Sequence, residues 1–600
     1  MNEQSKERNP WAELGQLPER VNMASFLSRR AQDAPSEPAI RVAKTVGQET
    51  HFDDISFSQL DRQSGLIAAG LASRGLKPGM RASLFVKPGV ELIAITFALM
   101  KLGAVPVLID PGMGSKNVLS CVEKMKPEAF IGIPAAHILR RLFPRAFRTV
   151  KIDILATGKG ADVMSLLTPA STLAKIIRGQ EPLPACDAHR DDEAAILFTS
   201  GSTGPPKGVT YTQGMFEAQV RALRATYGIE PGEIDVACLP VFALFSPALG
   251  MTCVFPELNP SKPATCDPSK LVNAILASGA TTTFGSPAIW RRVVPFCVEN
   301  GVTLPSLKRV LIAGAPVPTS LIEEFHKVLN AHADVHTPYG ATESLPVSSA
   351  AGRDLTAKGE ASIRSLVESG SGTCVGKPAK GIDLRIIRIA ANSLADKSDV
   401  IETWSDELIV PQGQRGEIVI RGPVVTRSYK FEQAATIAAK IAVNASAPGA
   451  REGEVWHRIG DVGYLDEEGR VWFCGRKSHR LDTAQGTVMP VPIENVFNTN
   501  PLVFRSALVG VGEVGREDQV LVVQPHPGKM PISAEQRAIF ARSLFDHVAT
   551  YQVTEQVTEI FFKEEFPVDV RHNAKIHRGE LKLWATEQRR SSGPTKAGNA

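Results

Sequence analysis

The 600-residue chain predicts an α/β fold: a large N-terminal domain of stacked βα subdomains plus a small β-rich subdomain, followed by a separate α+β C-terminal domain. Three observations lead there. Strand-length apolar runs alternate with helix-length ones up to about residue 315. After about residue 405 the strands shorten and turn signals crowd between them. The length itself exceeds what one ordinary core can organise, so several domains or subdomains are expected.

Arg81-Ala-Ser-Leu-Phe-Val86 reads as a strand ending at the Lys87-Pro-Gly89 turn. Glu91 to Leu102 reads as a helix stopped by Gly103, and Ala104 to Ile109 as the next strand. Strand, helix, strand at this spacing is a βαβ unit, which implies a largely parallel sheet. The same pattern is expected from Ala194 to Leu239 and from Thr281 to Ala315. Further on, Glu417-Ile-Val-Ile-Arg421 and Val471-Trp-Phe-Cys474 are short strands separated by turns such as Asp466-Glu-Glu-Gly469, the pattern of a smaller, more antiparallel sheet. Beyond Gly475-Arg476 the chain reads as an α+β unit through Ser506–Gly510 and a helix around Ser533–Thr550. The expected division is residues 1–475, 476–587, and a polar tail at 588–600 expected to be disordered.

Composition narrows the class. Hydrophobic residues make up 43% and charged residues 22%, the balance of a soluble globular protein. The 67 basic and 63 acidic side chains nearly cancel, so the overall charge implies neither nucleic-acid binding nor a polybasic membrane footprint. The polar start lacks a secretory h-region. The longest apolar run, Leu92 to Met100, is too short for a transmembrane segment. Eight dispersed cysteines with no CxxC pair fit the reduced thiols of a cytoplasmic protein and give no zinc signature.

The most informative segment follows the apolar strand Ala194-Ala-Ile-Leu-Phe198. Here Thr199-Ser200-Gly201-Ser202-Thr203-Gly204 leads through Pro205-Pro206 to Lys207. Glycines let backbone approach a polyphosphate, hydroxyls and amides donate to its oxygens, and a lysine neutralises its charge. A Walker loop is excluded, because its second glycine would fall at 206, which is proline. A flexible surface linker would lack the strand directly before it and the stiff Pro-Pro exit. A second constellation is Tyr339-Gly340-Ala341-Thr342-Glu343. An aromatic ring can stack on a purine, a hydroxyl can reach a phosphate, and a carboxylate can hold a hard divalent cation. Alone, such a pentapeptide also reads as a strand-end turn.

Together the two segments resemble the signatures of the adenylate-forming superfamily of acyl-CoA synthetases, firefly luciferase and peptide-synthetase adenylation domains. The likeness runs from about residue 25 to about residue 585. It implies ATP and Mg²⁺ as cofactors and a mobile C-terminal domain. Thr199, Ser200, Gly201, Ser202, Thr203, Gly204 and Lys207 would hold the β- and γ-phosphates, Tyr339 and Gly340 the adenine side, Thr342 the α-phosphate and Glu343 the metal. Gly314-Ala315-Pro316 resembles the adenine-edge loop, and Asp461 the aspartate that takes both ribose hydroxyls. Arg476 resembles the arginine just before the hinge at Lys477 and Ser478. Lys575, in Arg571-His-Asn573-Ala574-Lys575, resembles the lysine that bridges carboxylate and α-phosphate during adenylation, although the family's preceding glycine is Ala574 here.

The second half-reaction is where the chain departs from the family. The segment that lines a pantetheine tunnel in CoA ligases reads Asp482-Thr-Ala-Gln-Gly486, which puts CoA as acceptor in question. The uncharged loop containing Phe242 and Phe245, opposite Ser286 and Pro287, has the position of the acyl pocket. These features resemble the β-lactone synthetases of bacterial olefin biosynthesis. That resemblance implies adenylation of a long-chain 2-alkyl-3-hydroxy acid, displacement of AMP by the substrate's own hydroxyl, and association with other enzymes of the same lipid pathway. His336 and His479 are candidate bases for the hydroxyl. The rival readings are a long-chain acyl-CoA ligase, a catalytically silent binding protein and a phosphoryl-transferring ATPase.

Overall fold

The computed structural model describes the chain apart from residues 1–8, 48, 157–169, 200–204, 240–241, 260–261, 390–398, 445–450, 569–575, 593–594 and 597–600. A seven-stranded sheet forms around Arg81–Phe85 and Val105–Leu108, which pair in parallel as the sequence predicts. Its strands are buried on both faces, so they read as unbroken apolar runs. Helix Val90–Leu102 is apolar on all sides, which suits a fully enclosed helix, and it ends at Gly103 with φ 72°. It packs with helix Phe57–Ser73, and one continuous core joins these helices to strands of two different sheets.

The second sheet has nine strands with a parallel centre. Ala237 pairs with Phe284, Phe284 with Leu311, and Leu311 with His336. The carboxyl ends of four strands therefore align along one edge, where open α/β sheets bind ligands. The Thr281–Ala315 expectation is met, since Thr282–Gly285, helix Pro287–Glu299 and Arg309–Ile312 form a βαβ unit. The Ala194–Leu239 expectation is corrected. Glu193–Phe198 and Gly208–Thr212 form an antiparallel hairpin in the seven-stranded sheet, and helix Gln213–Tyr227 then carries the chain to Ile234–Ala237 in the other sheet. Periodicity identifies strands but is blind to which sheet they join.

The β-rich part is a six-stranded sheet whose pairings are all antiparallel. Its long strand Val455–Leu465 sets Asp461 opposite Arg476. Beyond it lie a hairpin, Leu481–Thr483 with Gly486–Val488, and a four-stranded sheet. Along Val503–Val511 and Asp518–Pro525 the side chains alternate between two cores: Leu508 and Leu521 enter one, Val509 and Val520 the other. The expected tail is also corrected, because helix Arg578–Ser592 runs into it and Thr595–Lys596 adds an edge strand. Leu581 and Ala585 are buried one helical turn apart, and Arg589 ion-pairs with Asp518 and Glu559, each at 2.7 Å. The polar composition of that segment hid an amphipathic helix. The eight cysteines are free thiols, and no helix among the described residues is long and apolar enough to cross a membrane.

Arg309 opens the strand that leads to Gly314. Its guanidinium lies 2.6 Å from Glu233 and also donates to Thr282 and to the Gly228 carbonyl, with both charges buried. Removing one partner of such a pair strands the other charge. Arg309→Met is therefore expected to destabilise the protein by about 3–5 kcal/mol, read as a fall in the urea midpoint of the first unfolding transition.

Candidate active site

The aligned strand ends carry Phe242 and Phe245, Ser286 and Pro287, Gly314-Ala315-Pro316, and Tyr339 to Glu343 onto one edge of the nine-stranded sheet. Phe242 and Phe284 pack with ring centroids 4.5 Å apart, joining the two expected walls of the acyl pocket. Phe245 lies 6.0 Å from Phe216. Ser286 is 1% exposed at the start of helix Pro287–Glu299, and its hydroxyl has no hydrogen-bond partner among the described residues. Gly314 adopts φ 91°, a conformation that favours glycine.

Tyr339 lies in strand Asp334–Ala341, the first arm of a hairpin whose second arm is Ser344–Ala351. Gly340 is required by this hairpin: a Cβ there would come 2.7 Å from Leu345 and 2.8 Å from the Ser344 carbonyl. The Tyr339 hydroxyl donates to Asp461, which is 2% exposed, and the Arg476 guanidinium stands 3.0 Å from the other carboxylate oxygen. Burial pushes the Asp461 carboxyl up, while Arg476 and Tyr339 pull it back. Arg476 also donates to the Ile459 carbonyl at 3.0 Å.

Thr342 and Glu343 are held by two tyrosines that sequence reading missed. Tyr211 donates to the Thr342 carbonyl, and Tyr429 donates to the Glu343 carboxylate at 2.7 Å. Burial raises both phenols, so each keeps the proton it donates. Tyr429 reaches Glu343 because its segment pairs with the hairpin: Val209 bridges Tyr429, and the Lys430 amide donates to the Gly208 carbonyl at 2.7 Å. Lys207 then sits over the Tyr429 ring, 5.0 Å from its centroid. The two ends of the Thr199–Lys207 segment are pinned together, with the Thr199 amide donating to the Lys207 carbonyl at 3.1 Å and the Lys207 amide to the Thr199 hydroxyl at 3.3 Å.

Behind this group lies Lys440, also missed. Its ammonium is buried and donates to the carbonyl and hydroxyl of Thr426, whose amide in turn donates to the Glu343 carbonyl at 2.9 Å. A lone cation within the apolar stretch Ile437-Ala-Ala-Lys440-Ile-Ala-Val443 was the available signal. Burial pushes Lys440 down to about 7, with Glu343 countering. His457 is held well below the usual imidazole range by burial and by Lys440.

The expected hinge pair, Lys477 and Ser478, lies apart from this group. Lys477 is ion-paired with Asp399 and with Glu417 at 3.0 Å, in a short turn shared with Ser478. The Asp482–Gly486 segment closes as the tip of a two-stranded hairpin, tied by the Asp482 amide to Glu517 at 2.9 Å and by the Thr483 hydroxyl to the Gly486 carbonyl at 2.8 Å. His336 stacks edge-on against Tyr227, 5.4 Å away. Burial pushes His479 down to about 4, leaving it a weak proton acceptor at neutral pH. Ser200, Gly201, Ser202, Thr203, Gly204 and Lys575 lie outside the described residues.

Glu343 suits a hard cation that draws its other ligands from phosphate and water. Among the described residues, no group of three or more His, Cys, Asp or Glu side chains could hold a metal on its own.

The chain is similar to known proteins. The family described as AMP-binding enzyme matches residues 27–430. An olefin beta-lactone synthetase of Xanthomonas campestris pv. campestris is 40% identical over 583 residues, covering 96% of this chain and 99% of its own. One from Stenotrophomonas maltophilia is 41% identical over 574 residues, covering 94% and 98%. Among solved structures, an anthranilate CoA ligase in complex with anthranoyl-AMP matches with a TM-score of 0.72 at 19% identity, covering 96% of this chain and 99% of that one. The O-succinylbenzoate CoA synthetase of Bacillus subtilis in complex with AMP gives 0.67 at 20%, covering 93% and 98%. At these identities the structural likeness is one of fold.

Lys440 has a consequence for stability. The folded chain releases its proton near pH 7, whereas the unfolded chain holds it to the ordinary 10.5. Between those values the unfolded state binds more protons, so this group makes stability rise with pH across the window. Lys440→Met is expected to flatten the rise between pH 7 and 10, measured by urea denaturation at a series of pH values.

Proposed function

The chain belongs to the AMP-binding enzyme family, and from that membership we propose that it adenylates a long-chain 2-alkyl-3-hydroxy fatty acid and closes the adenylate to a β-lactone. It is an AMP-forming ligase, and the observation that carries the lactone reading is 40% identity to an olefin beta-lactone synthetase across 96% of the chain. The compact hairpin at Asp482–Gly486, where CoA ligases line a pantetheine tunnel, supports an acceptor other than CoA.

In the first step a carboxylate oxygen of the acid attacks the α-phosphorus of ATP, and pyrophosphate leaves. Lys207 and the loop from Thr199 to Gly204 bind the β- and γ-phosphates, and Thr342 reaches the α-phosphate. Glu343, aimed by Tyr429, is the side chain that would hold Mg²⁺, which neutralises triphosphate charge when bound. Tyr339 and the Gly314-Ala315-Pro316 loop flank the adenine. Asp461 takes the ribose hydroxyls, its carboxylate held in place by Arg476 at 3.0 Å and by the Tyr339 hydroxyl. Two anions meet in this step, and Lys575 brings the cation that offsets their repulsion when the C-terminal domain closes about the Arg476–Ser478 hinge.

In the second step the substrate's 3-hydroxyl oxygen attacks the activated carbonyl carbon, its proton is lost, the bond from that carbon to the AMP oxygen breaks, and AMP departs. Holding hydroxyl and carbonyl together can be worth roughly 7–11 kcal/mol relative to a bimolecular attack. The Phe242–Phe284 wall excludes the water that would hydrolyse the adenylate. The same reading puts the enzyme in the cytoplasm, in association with other enzymes of its lipid pathway.

With a 2-alkyl-3-hydroxy acid, ATP and Mg²⁺, the expected products are AMP, pyrophosphate and a neutral compound lighter than the acid by one water, seen by mass spectrometry without CoA. An acyl-CoA formed only when CoA is added would favour a long-chain acyl-CoA ligase instead. Tyr429→Phe is expected to slow acid-dependent pyrophosphate release roughly tenfold, because a hydrogen bond to a carboxylate contributes about 1.5–3 kcal/mol, and to raise the Mg²⁺ concentration needed. An unchanged Mg²⁺ dependence would separate Tyr429 from the metal carboxylate.

A further inference from the structure

The near-neutral overall charge conceals a strongly basic segment. From Ala129 to Ile152 the chain carries Arg140, Arg141, Arg145, Arg148 and Lys151 and no acidic residue. Helix Pro134–Leu142 and the short turn Pro144–Phe147 lie in this stretch.

The inner side of the segment is fixed to the protein. Ala136, His137, Ala146 and Phe147 are buried, Phe130 packs edge-on against both His137 and Phe147, and Arg140 ion-pairs with Asp153. The outer side is unusual for a surface helix, whose solvent face is normally polar. Ile138 is 49% exposed, Leu142 68% and Phe143 46%. Ile138 and Leu142 are one turn apart and share a face. Arg141, Arg145, Arg148 and Lys151 lie in the same stretch, all exposed, and Arg145, Arg148 and Lys151 form no ion pair among the described residues. Other exposed apolar side chains, such as Ile532 and Val514, stand singly in segments that also carry acids.

We propose that the surface formed by Ile138, Leu142 and Phe143 with Arg141, Arg145 and Arg148 docks the enzyme on anionic lipid bilayers. Apolar side chains on a rigid basic helix insert at the headgroup boundary while the guanidinium groups meet lipid phosphates. Three apolar side chains so exposed, in a stretch whose charges are all basic, suit insertion into an anionic bilayer; an acidic protein would meet the arginines but leave the apolar side chains to be covered. The choice of lipid also rests on the proposed function, in that a long-chain acid partitions into membranes.

The test uses the full-length protein sedimented with vesicles, with no substrate present, so its result is independent of the reaction assigned above. Binding is expected to vesicles containing phosphatidylglycerol, to be weak to pure phosphatidylcholine, and to fall in 0.5 M salt. Arg145→Glu/Arg148→Glu and Leu142→Ser/Phe143→Ser are each expected to lower binding at least about tenfold. Neither double variant should change pyrophosphate release with a water-soluble acid, which also reports that it is folded. No binding by the native chain, or equal binding by both variants, would overturn the proposal. So would a native dimer in analytical ultracentrifugation that these variants abolish, because the apolar side chains would then be covered by a second copy.

Discussion

The site is organised around one buried carboxylate. Asp461 is 2% exposed within strand Val455–Leu465, a position where a charge is costly unless it is paired. Its two partners come from different parts of the fold: Tyr339 from the hairpin at the edge of the nine-stranded sheet, and Arg476 from the neighbouring strand of the six-stranded sheet. Satisfying Asp461 therefore requires the two sheets to dock in one register. Arg476 is also the last residue of its strand before the turn Lys477–His479, so the same contact anchors the start of the C-terminal part.

A second, partly buried group involves the same hairpin. Glu343 receives the Tyr429 hydroxyl, Thr426 ties the Glu343 backbone to Lys440, and Lys207 covers the Tyr429 ring. The segment Thr426–Lys430 thus belongs to the same unit as the hairpin of Glu193–Phe198 with Gly208–Thr212 and the Thr342–Glu343 turn. Tyr429, Thr426 and Lys440 are buried hydrogen-bonding groups in a low-dielectric setting, where satisfied networks are rigid and broken ones are costly.

Much of this was legible in the sequence because the relevant signals are local. The apolar run into Thr199, the Tyr339–Glu343 pentapeptide and the order of Asp461 before Arg476 are contiguous patterns, and the helix Val90–Leu102 ends where Gly103 requires it. What escaped depends on contacts between distant segments. Tyr211 and Tyr429 are ordinary aromatic positions until the hairpin pairs with residues more than two hundred positions away. The hairpin at 193–212 joins a different sheet from the strand at 234–237, which no periodicity records. The last helix was hidden because its buried stripe is narrow and its remaining residues are polar.

The chemistry proposed for this frame activates the carboxylate and leaves the 3-hydroxyl oxygen in place. The opposite order, phosphorylation of the hydroxyl followed by carboxylate attack at C3, would give the same lactone mass but move different atoms. The most direct measurement uses substrate labelled with ¹⁸O in the 3-hydroxyl, with the lactone and the nucleotide or phosphate products analysed by mass spectrometry. Adenylation predicts that the label stays in the lactone ring and that AMP carries none of it. Loss of the label from the lactone into a phosphate product would contradict the account.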